Sequence, residues 1–187
     1  VTSGGGAEAD ADRAARPGGP GSHAAADGPA EAEAGDGPVP TLADVGLDAF
    51  APYLINRISN RYNASMAEAL RRHGLTTAKM RALAVLSVKP GLTVNELAVY
   101  AVMEQSTMSR TLDAMEEAGL VERRARDGDG RVREVFLTAA GEVAFTEVWP
   151  VMRAEEDKMF VGLSRRDRRE FLRTLKAILL NIREHPF

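Results

Sequence analysis

The sequence predicts a mainly helical fold with one small β-hairpin, and three observations lead to it. Apolar residues recur every three to four positions over long stretches near both ends of residues 45–182. Two shorter helical patterns with a break between them lie in the middle. Directly after the second come two short strand candidates around Asp127-Gly128-Asp129-Gly130.

Composition bounds the possibilities. A chain of 187 residues is large enough to bury a substantial core. With no cysteine, disulfide scaffolds, cysteine-ligated metals and thiol redox sensing are excluded. No apolar run approaches the roughly 18 residues that span a bilayer, and no basic-then-apolar signal pattern opens the sequence. A cytoplasmic protein with no membrane partner is therefore expected. The net charge is −3, but it is unevenly placed. Residues 1–40 hold seven acids and two bases, a net of −5, whereas the remainder holds 22 bases and 20 acids, a net of +2. Residues 1–40 are also rich in Gly, Ala and Pro and nearly devoid of large apolar side chains, which predicts a disordered acidic tail.

In chain order, the first helical stripe runs through Leu47, Phe50, Leu54, Ile58, Tyr62, Met66 and Leu70. It predicts one unbroken helix of about 28 residues, near 40 Å long, within a segment spanning 41–74. Gly74 ends it, and Thr76 caps the next helix, over 77–88, with Met80, Leu83 and Leu86 or Val85 inward. Pro90 and Gly91 close that helix. Thr93 and Glu96 form a capping box for a short helix bearing Val94, Leu97 and Ala98. After residues 100–103, a further helix runs from Gln105 to Ala118 with Met108, Leu112 and Met115 on one face and Gly119 as its stop.

Strands are expected at 120–126 and 131–137, joined by a four-residue turn whose Gly and Asp residues supply positive φ. Thr138 caps a second long helix, which Pro150 is expected to kink or interrupt. Val143, Val148, Met152, Met159 and Phe160 are its apolar residues, and the acid run Glu155-Glu156-Asp157 reads as a solvated face. Ser164 and Asp167 make another capping box. It opens a last helix with Phe171, Leu172, Leu175, Ile178, Leu179 and Ile182 on one face and arginines on the other.

This order is that of a winged helix-turn-helix over 75–138, flanked by N- and C-terminal dimerisation helices (41–74 and 139–187). Removing the buried face of the 105–118 helix leaves Gln105, Ser106, Thr107, Ser109 and Arg110 in its first two turns. Hydroxyl, amide and guanidinium groups at a helix N-terminus suit double-stranded DNA, contacting phosphates and base edges. The same residues also fit an ordinary solvated face with Ser used for capping. The hairpin adds Arg123, Arg124, Arg126, Arg131 and Arg133, but Glu122, Asp127, Asp129 and Glu134 reduce its net charge to +1. Long apolar stripes with no spare core to cover point to a homodimer, which would set two recognition helices one DNA turn apart on a pseudopalindromic operator.

At the hairpin the sequence resembles the MarR family of bacterial transcriptional regulators. The pattern D-x-R-x-x-x-V-x-L-T stands here as Asp129, Arg131, Val135, Leu137 and Thr138, after the run QSTMSRTLDAMEEAGLVER. The likeness covers about residues 45–185. It implies a homodimeric regulator, usually a repressor, that leaves its operator when a small aromatic or anionic effector, an acid or thioester, binds between dimerisation and DNA-binding regions. By position it implies that Arg131 reaches the minor groove or backbone, with Asp129 as its organiser. The run AFAPYLINRISNRYN is similar to the first helix of members that sense aromatic acids or their thioesters, so Tyr53, Asn56 and Arg57 are candidate effector residues, joined by His73 and Arg81 at the junction of the first helix with the second. They also fit interfacial or solvated positions, and Trp149 fits either a pocket or the core.

An enzyme finds little support: there is no phosphate-cradling Gly loop, no nucleophile elbow and no metal-ligand spacing, with His23, His73 and His185 far apart. No cofactor and no metal are expected. A winged helix used only for protein contacts is the other alternative, separable because DNA affinity falls steeply with salt.

Overall fold

The computed structural model describes residues 38–185, so the acidic tail expected over 1–40 falls almost wholly outside the described residues. The chain divides between Val39 and Pro40. In the unit that begins at Pro40 the elements run α1 (Leu42–Val45), α2 (Ala51–Arg71), α3 (Thr77–Val88), α4 (Val94–Tyr100), α5 (Gln105–Glu117), β1 (Val121–Arg126), β2 (Asp129–Leu137), α6 (Ala139–Met159) and α7 (Arg165–Ile182).

The first stripe is not one unbroken helix. Thr41 and Asp44 form a capping box for the single turn of α1, and Gly46 then takes φ +78° and turns the chain away. Helix α2 restarts after Phe50, with Pro52 in its first turn, where a missing N–H costs nothing. At 21 residues it is about 30 Å long, shorter than the stripe suggested. Its stripe also divides in use: Met66 and Leu70 are fully buried, whereas Leu54 and Ile58 are exposed.

Two apolar clusters hold the unit together. One joins α3, α4, α5 and the hairpin through Leu83, Leu86, Leu97, Met108, Leu112 and Val135. The other joins α2, α3 and α6 through Met66, Leu70, Met80 and Val148. Leu75 and Phe145 pack against both, so the winged unit and the helical flank share a wall. Burying each large side chain contributes roughly 1.5–3 kcal/mol.

The expected caps are present: Thr76 accepts from Lys79 N, Thr93 and Glu96 bond reciprocally, and Ser164 and Asp167 do the same. The hairpin is longer and tighter than expected. Strand β2 begins at Asp129, and the turn is the pair Asp127-Gly128, with positive φ at Gly128 alone (+84°). The two strands pair antiparallel from Val121↔Leu137 to Ala125↔Arg133, then jump to Arg126↔Asp129, so Gly130, Arg131 and Val132 bulge from the ladder. A short bridge between Leu92 and Val135, with Val135 N donating to Leu92 O at 2.9 Å, adds a third partner to the sheet that the pattern of residues did not announce.

Pro150 does not interrupt helix α6, which continues through it to Met159. A proline removes one donor, that toward Thr146 O, and in a 21-residue helix anchored by Val148 and capped by Thr138 the loss does not end the helix. The acid run is a solvated face only in part: Asp157 is exposed, but Glu155 is not. Glu155 is buried, accepting from Ser65 on α2 and from Lys158, while Glu156 and Asp157 pair with Arg153 and with Arg168 on α7. Helix α7 buries no residue: Leu179, Leu180 and Ile182 are more than half exposed.

Candidate nucleic-acid interface

Helix α5 lies after a four-residue turn from α4 and packs by Met108, Leu112 and Met115. That packing turns Gln105, Ser106, Thr107 and Arg110 to solvent and leaves Ser109 half-buried, less open than the pattern suggested. Glu104 is the N-cap residue but makes no side-chain cap bond. The first-turn amides of α5 are thus free of a side-chain cap, and they bear the positive end of the helix dipole. Arg110 Nε donates to Ser106 O at 3.3 Å, which lays the guanidinium along the exposed face.

The hairpin arginines fall into two sets. Arg123 is a structural tie: Nη2 donates to Asp113 at 2.7 Å, Nη1 to Glu116 at 2.6 Å, and its backbone N to Glu116 Oε1 at 3.2 Å. Arg124 pairs with Glu122 and stacks on Phe136, 4.7 Å from the ring centroid. Arg126 pairs with Glu134, which raises its already high pKa. Arg131 and Arg133 are exposed and make no ion pair among the described residues. Asp129 meets Arg131 only through the backbone: Arg131 N donates to Asp129 Oδ1 at 3.1 Å within the bulge, and the exposed Arg131 side chain makes no bond to it. Sequence reasoning missed Asp113 and Glu116, although their i, i+3 spacing on α5 with a basic strand just beyond was the available signal.

The five candidate effector residues are not brought together. Arg57 Nη1 donates to Tyr53 Oη at 3.0 Å, a bond that also raises the Arg57 pKa. Arg57 and Arg61 border a cavity of about 540 Å³ between α2, α6 and α7, walled by Ile58, Phe160 and Phe171. Tyr62 shares that wall; burial, followed by the charges of Glu156 and Glu155, pushes its pKa up. Arg81 borders a second cavity of about 260 Å³ beside the α4–α5 turn. His73 borders a third, of about 210 Å³. Asn56 is exposed and lines none of these three. Trp149 is 47% exposed, tilted against Phe145, and so not core.

An exposed, uncapped second helix beside a hairpin with outward arginines defines a winged helix-turn-helix regulator that binds DNA. Comparison with known proteins gives the family. The MarR family profile matches residues 73–132. A crystal structure of a MarR-family transcriptional regulator from Silicibacter pomeroyi is 48% identical, with a TM-score of 0.74, covering 79% of this chain and 100% of that one. The HTH-type transcriptional repressor Rv2887 of Mycobacterium tuberculosis is 33% identical over 131 residues, which is 70% of this chain and 94% of the repressor. Rv2887 has been solved with salicylic acid (33% identity, TM-score 0.60, 70% of this chain, 97% of that one). It has also been solved with DNA (30% identity, TM-score 0.58, 70% and 98%). The chain belongs to the MarR family of transcriptional regulators. Its relatives are regulators of transcription, not enzymes. Among the described residues, no helix is long and apolar enough to cross a membrane.

Proposed function

We propose that this chain is a cytoplasmic, ligand-responsive repressor that binds a pseudopalindromic operator as a homodimer. The observation that supports it most is the pairing of an uncapped α5 N-terminus with Arg131 and Arg133, the two hairpin arginines without ion pairs among the described residues. Gln105, Ser106, Thr107, Ser109 and Arg110 enter the major groove, and Arg131 and Arg133 reach the adjoining backbone or minor groove. Arg123, Arg124 and Arg126 hold the hairpin in shape. A second copy covers the exposed apolar face of α7 and the N-terminal half of α2, making 41–74 and 139–187 the dimerisation segments.

The effector is a small aromatic acid or its thioester. Its ring lies against Phe160 and Phe171 in the 540 Å³ cavity, and its carboxylate pairs with Arg57 or Arg61. Glu155 on the same wall does not oppose this, because Lys158 offsets its charge. The salicylic acid complex of Rv2887 supports an effector of this class. Selection of bound sequences from random DNA, followed by anisotropy titration with and without salicylate, tests the reading. A selected half-site repeat, bound by a dimer and released by salicylate, is expected. No enrichment, or affinity indifferent to salt, overturns it.

A further inference from the structure

Val102 has φ +53° and is the one non-glycine with positive φ among the described residues. A β-branched side chain disfavours this left-handed region, so something must hold it there. Val102 is 80% exposed, so core packing does not. It stands in the turn between α4 and α5, three residues before Gln105, where a change of one backbone angle would swing the whole of α5.

Backbone bonds from Val102 N to Val99 O at 3.1 Å and from Met103 N to Ala98 O at 2.9 Å close the turn, and Arg81 braces it from outside. Its Nη1 donates to Ala101 O at 3.4 Å and to Val102 O at 3.2 Å, the carbonyls at the negative end of α4. Its Nη2 donates to Asn63 Oδ1 on α2 at 2.9 Å. The half-buried guanidinium has no carboxylate partner among the described residues, so its charge falls on these three oxygens. Three fixed acceptors suit a planar guanidinium fork better than a lysine. One side chain thereby joins the α2 helix to the turn that aims α5. Tyr62, next to Asn63, lines both the 540 Å³ and the 260 Å³ cavities, so a ligand that moves this part of α2 acts on the same link.

We infer that Arg81 is a positioning residue for the recognition helix: it clamps the left-handed turn at Val102 and makes the aim of α5 depend on α2 through Asn63. This rests on reading α5 as the DNA-contacting helix, so its test includes a measurement independent of DNA.

Amide hydrogen exchange is measured on the full chain, wild type against Arg81→Gln, at Met103, whose N donates to Ala98 O at 2.9 Å in this turn, and at Leu112 within α5. Exchange at Met103 is expected to rise at least about tenfold in Arg81→Gln with Leu112 unchanged, and to rise less in Asn63→Ala. Val102→Asn, which tolerates the left-handed region, is expected to restore most of the protection in the Arg81→Gln background. Where the wild type binds its operator, Arg81→Gln should weaken specific binding about tenfold, Arg81→Lys less, at unchanged dimer mass. Unchanged exchange at Met103, a loss spread equally through α5, or no rescue by Val102→Asn overturns the clamp. A wild type that binds no DNA overturns the proposed function, while the exchange data still decide on the clamp.

Discussion

Arg123 on β1 donates to Asp113 on α5 across 2.7 Å, so the wing is tied to the helix it flanks by an arginine that faces protein rather than solvent. With its side chain 21% exposed and Glu116 as a second carboxylate partner, this arginine has little left to offer a phosphate. Arg123→Ala is expected to lower stability by about 1 kcal/mol, since it leaves two carboxylates facing each other on one helix. It should weaken operator binding while leaving the salt dependence of binding unchanged. Urea denaturation and anisotropy titrations over a range of salt measure both; a reduced salt slope would show that Arg123 contacts phosphate after all.

Arg131 should behave in the opposite way. It projects from the hairpin bulge, its backbone fixed by Asp129 and its guanidinium free of ion pairs among the described residues. Arg131→Ala is expected to leave stability within about 0.5 kcal/mol of wild type. The slope of log affinity against log salt should fall by about one phosphate's share. The same titrations give the answer, and an unchanged slope removes Arg131 from the interface.

These two arginines mark the limit of what the residue pattern revealed. Apart from Arg131, which the family pattern singles out, the hairpin arginines look equivalent along the chain, because which of them finds a carboxylate depends on strand register and on the distance to α5. Helix faces and caps were legible, since periodicity and capping boxes are local: Met108, Leu112, Met115, Thr93 and Ser164 stand as expected. The break at Gly46 was hidden by an apolar stripe that keeps its period across the gap. Burial of Glu155 was hidden because its partner Ser65 lies 90 residues away. The separation of His73 and Arg81 from the Tyr53–Arg57 pair has the same cause, as proximity in sequence does not set which side of α2 and α3 faces a cavity.

Gly141 tests how closely α6 is seated on the wing. Thr138 Oγ1 donates to Gly119 O at 2.6 Å and Thr138 N to Leu120 O at 3.1 Å, drawing the first turn of α6 against the chain entering β1. A Cβ at Gly141 would stand 2.0 Å from Leu120 O, a backbone atom that cannot step aside. Gly141→Ala is therefore expected to destabilise the fold by about 1–3 kcal/mol despite alanine's higher helix propensity. A thermal melt checks it, and a gain in stability would mean that the two segments are not in contact.

Acid should loosen the contact between α2 and α6. Hydrogen bonds from Lys158 and then Ser65 hold the Glu155 carboxyl below the usual carboxylate range. A group whose folded pKa is depressed contributes stability that is full above its unfolded value, about 4.3, and is lost as pH falls through the lowered folded value. Wild type is expected to exceed Glu155→Gln in urea midpoint at neutral pH, with the gap closing as pH drops below about 4.3. A gap that stays constant down to about pH 3, well below the unfolded value, would show that the ionised carboxylate contributes nothing.

Leu179 tests the proposed dimer. It is 62% exposed on α7, beside Leu180 and Ile182, in a helix that buries no residue within one chain. Within a single copy Leu179→Asp removes no core contact, so the folded unit should melt nearly as before if it stays monomeric. In a two-fold dimer each substitution counts twice, because both copies present the same face. Losing a buried leucine and burying a carboxylate at both places should weaken association by roughly 3–6 kcal/mol, a hundredfold or more. Sedimentation at micromolar concentration would then show monomer, and specific operator affinity would collapse toward that of a single half-site, because one recognition helix and one wing bury too little to hold it. A Leu179→Asp protein that stays dimeric and binds the operator as well as wild type would place the second copy on another face, with the exposed half of α2 the next to test.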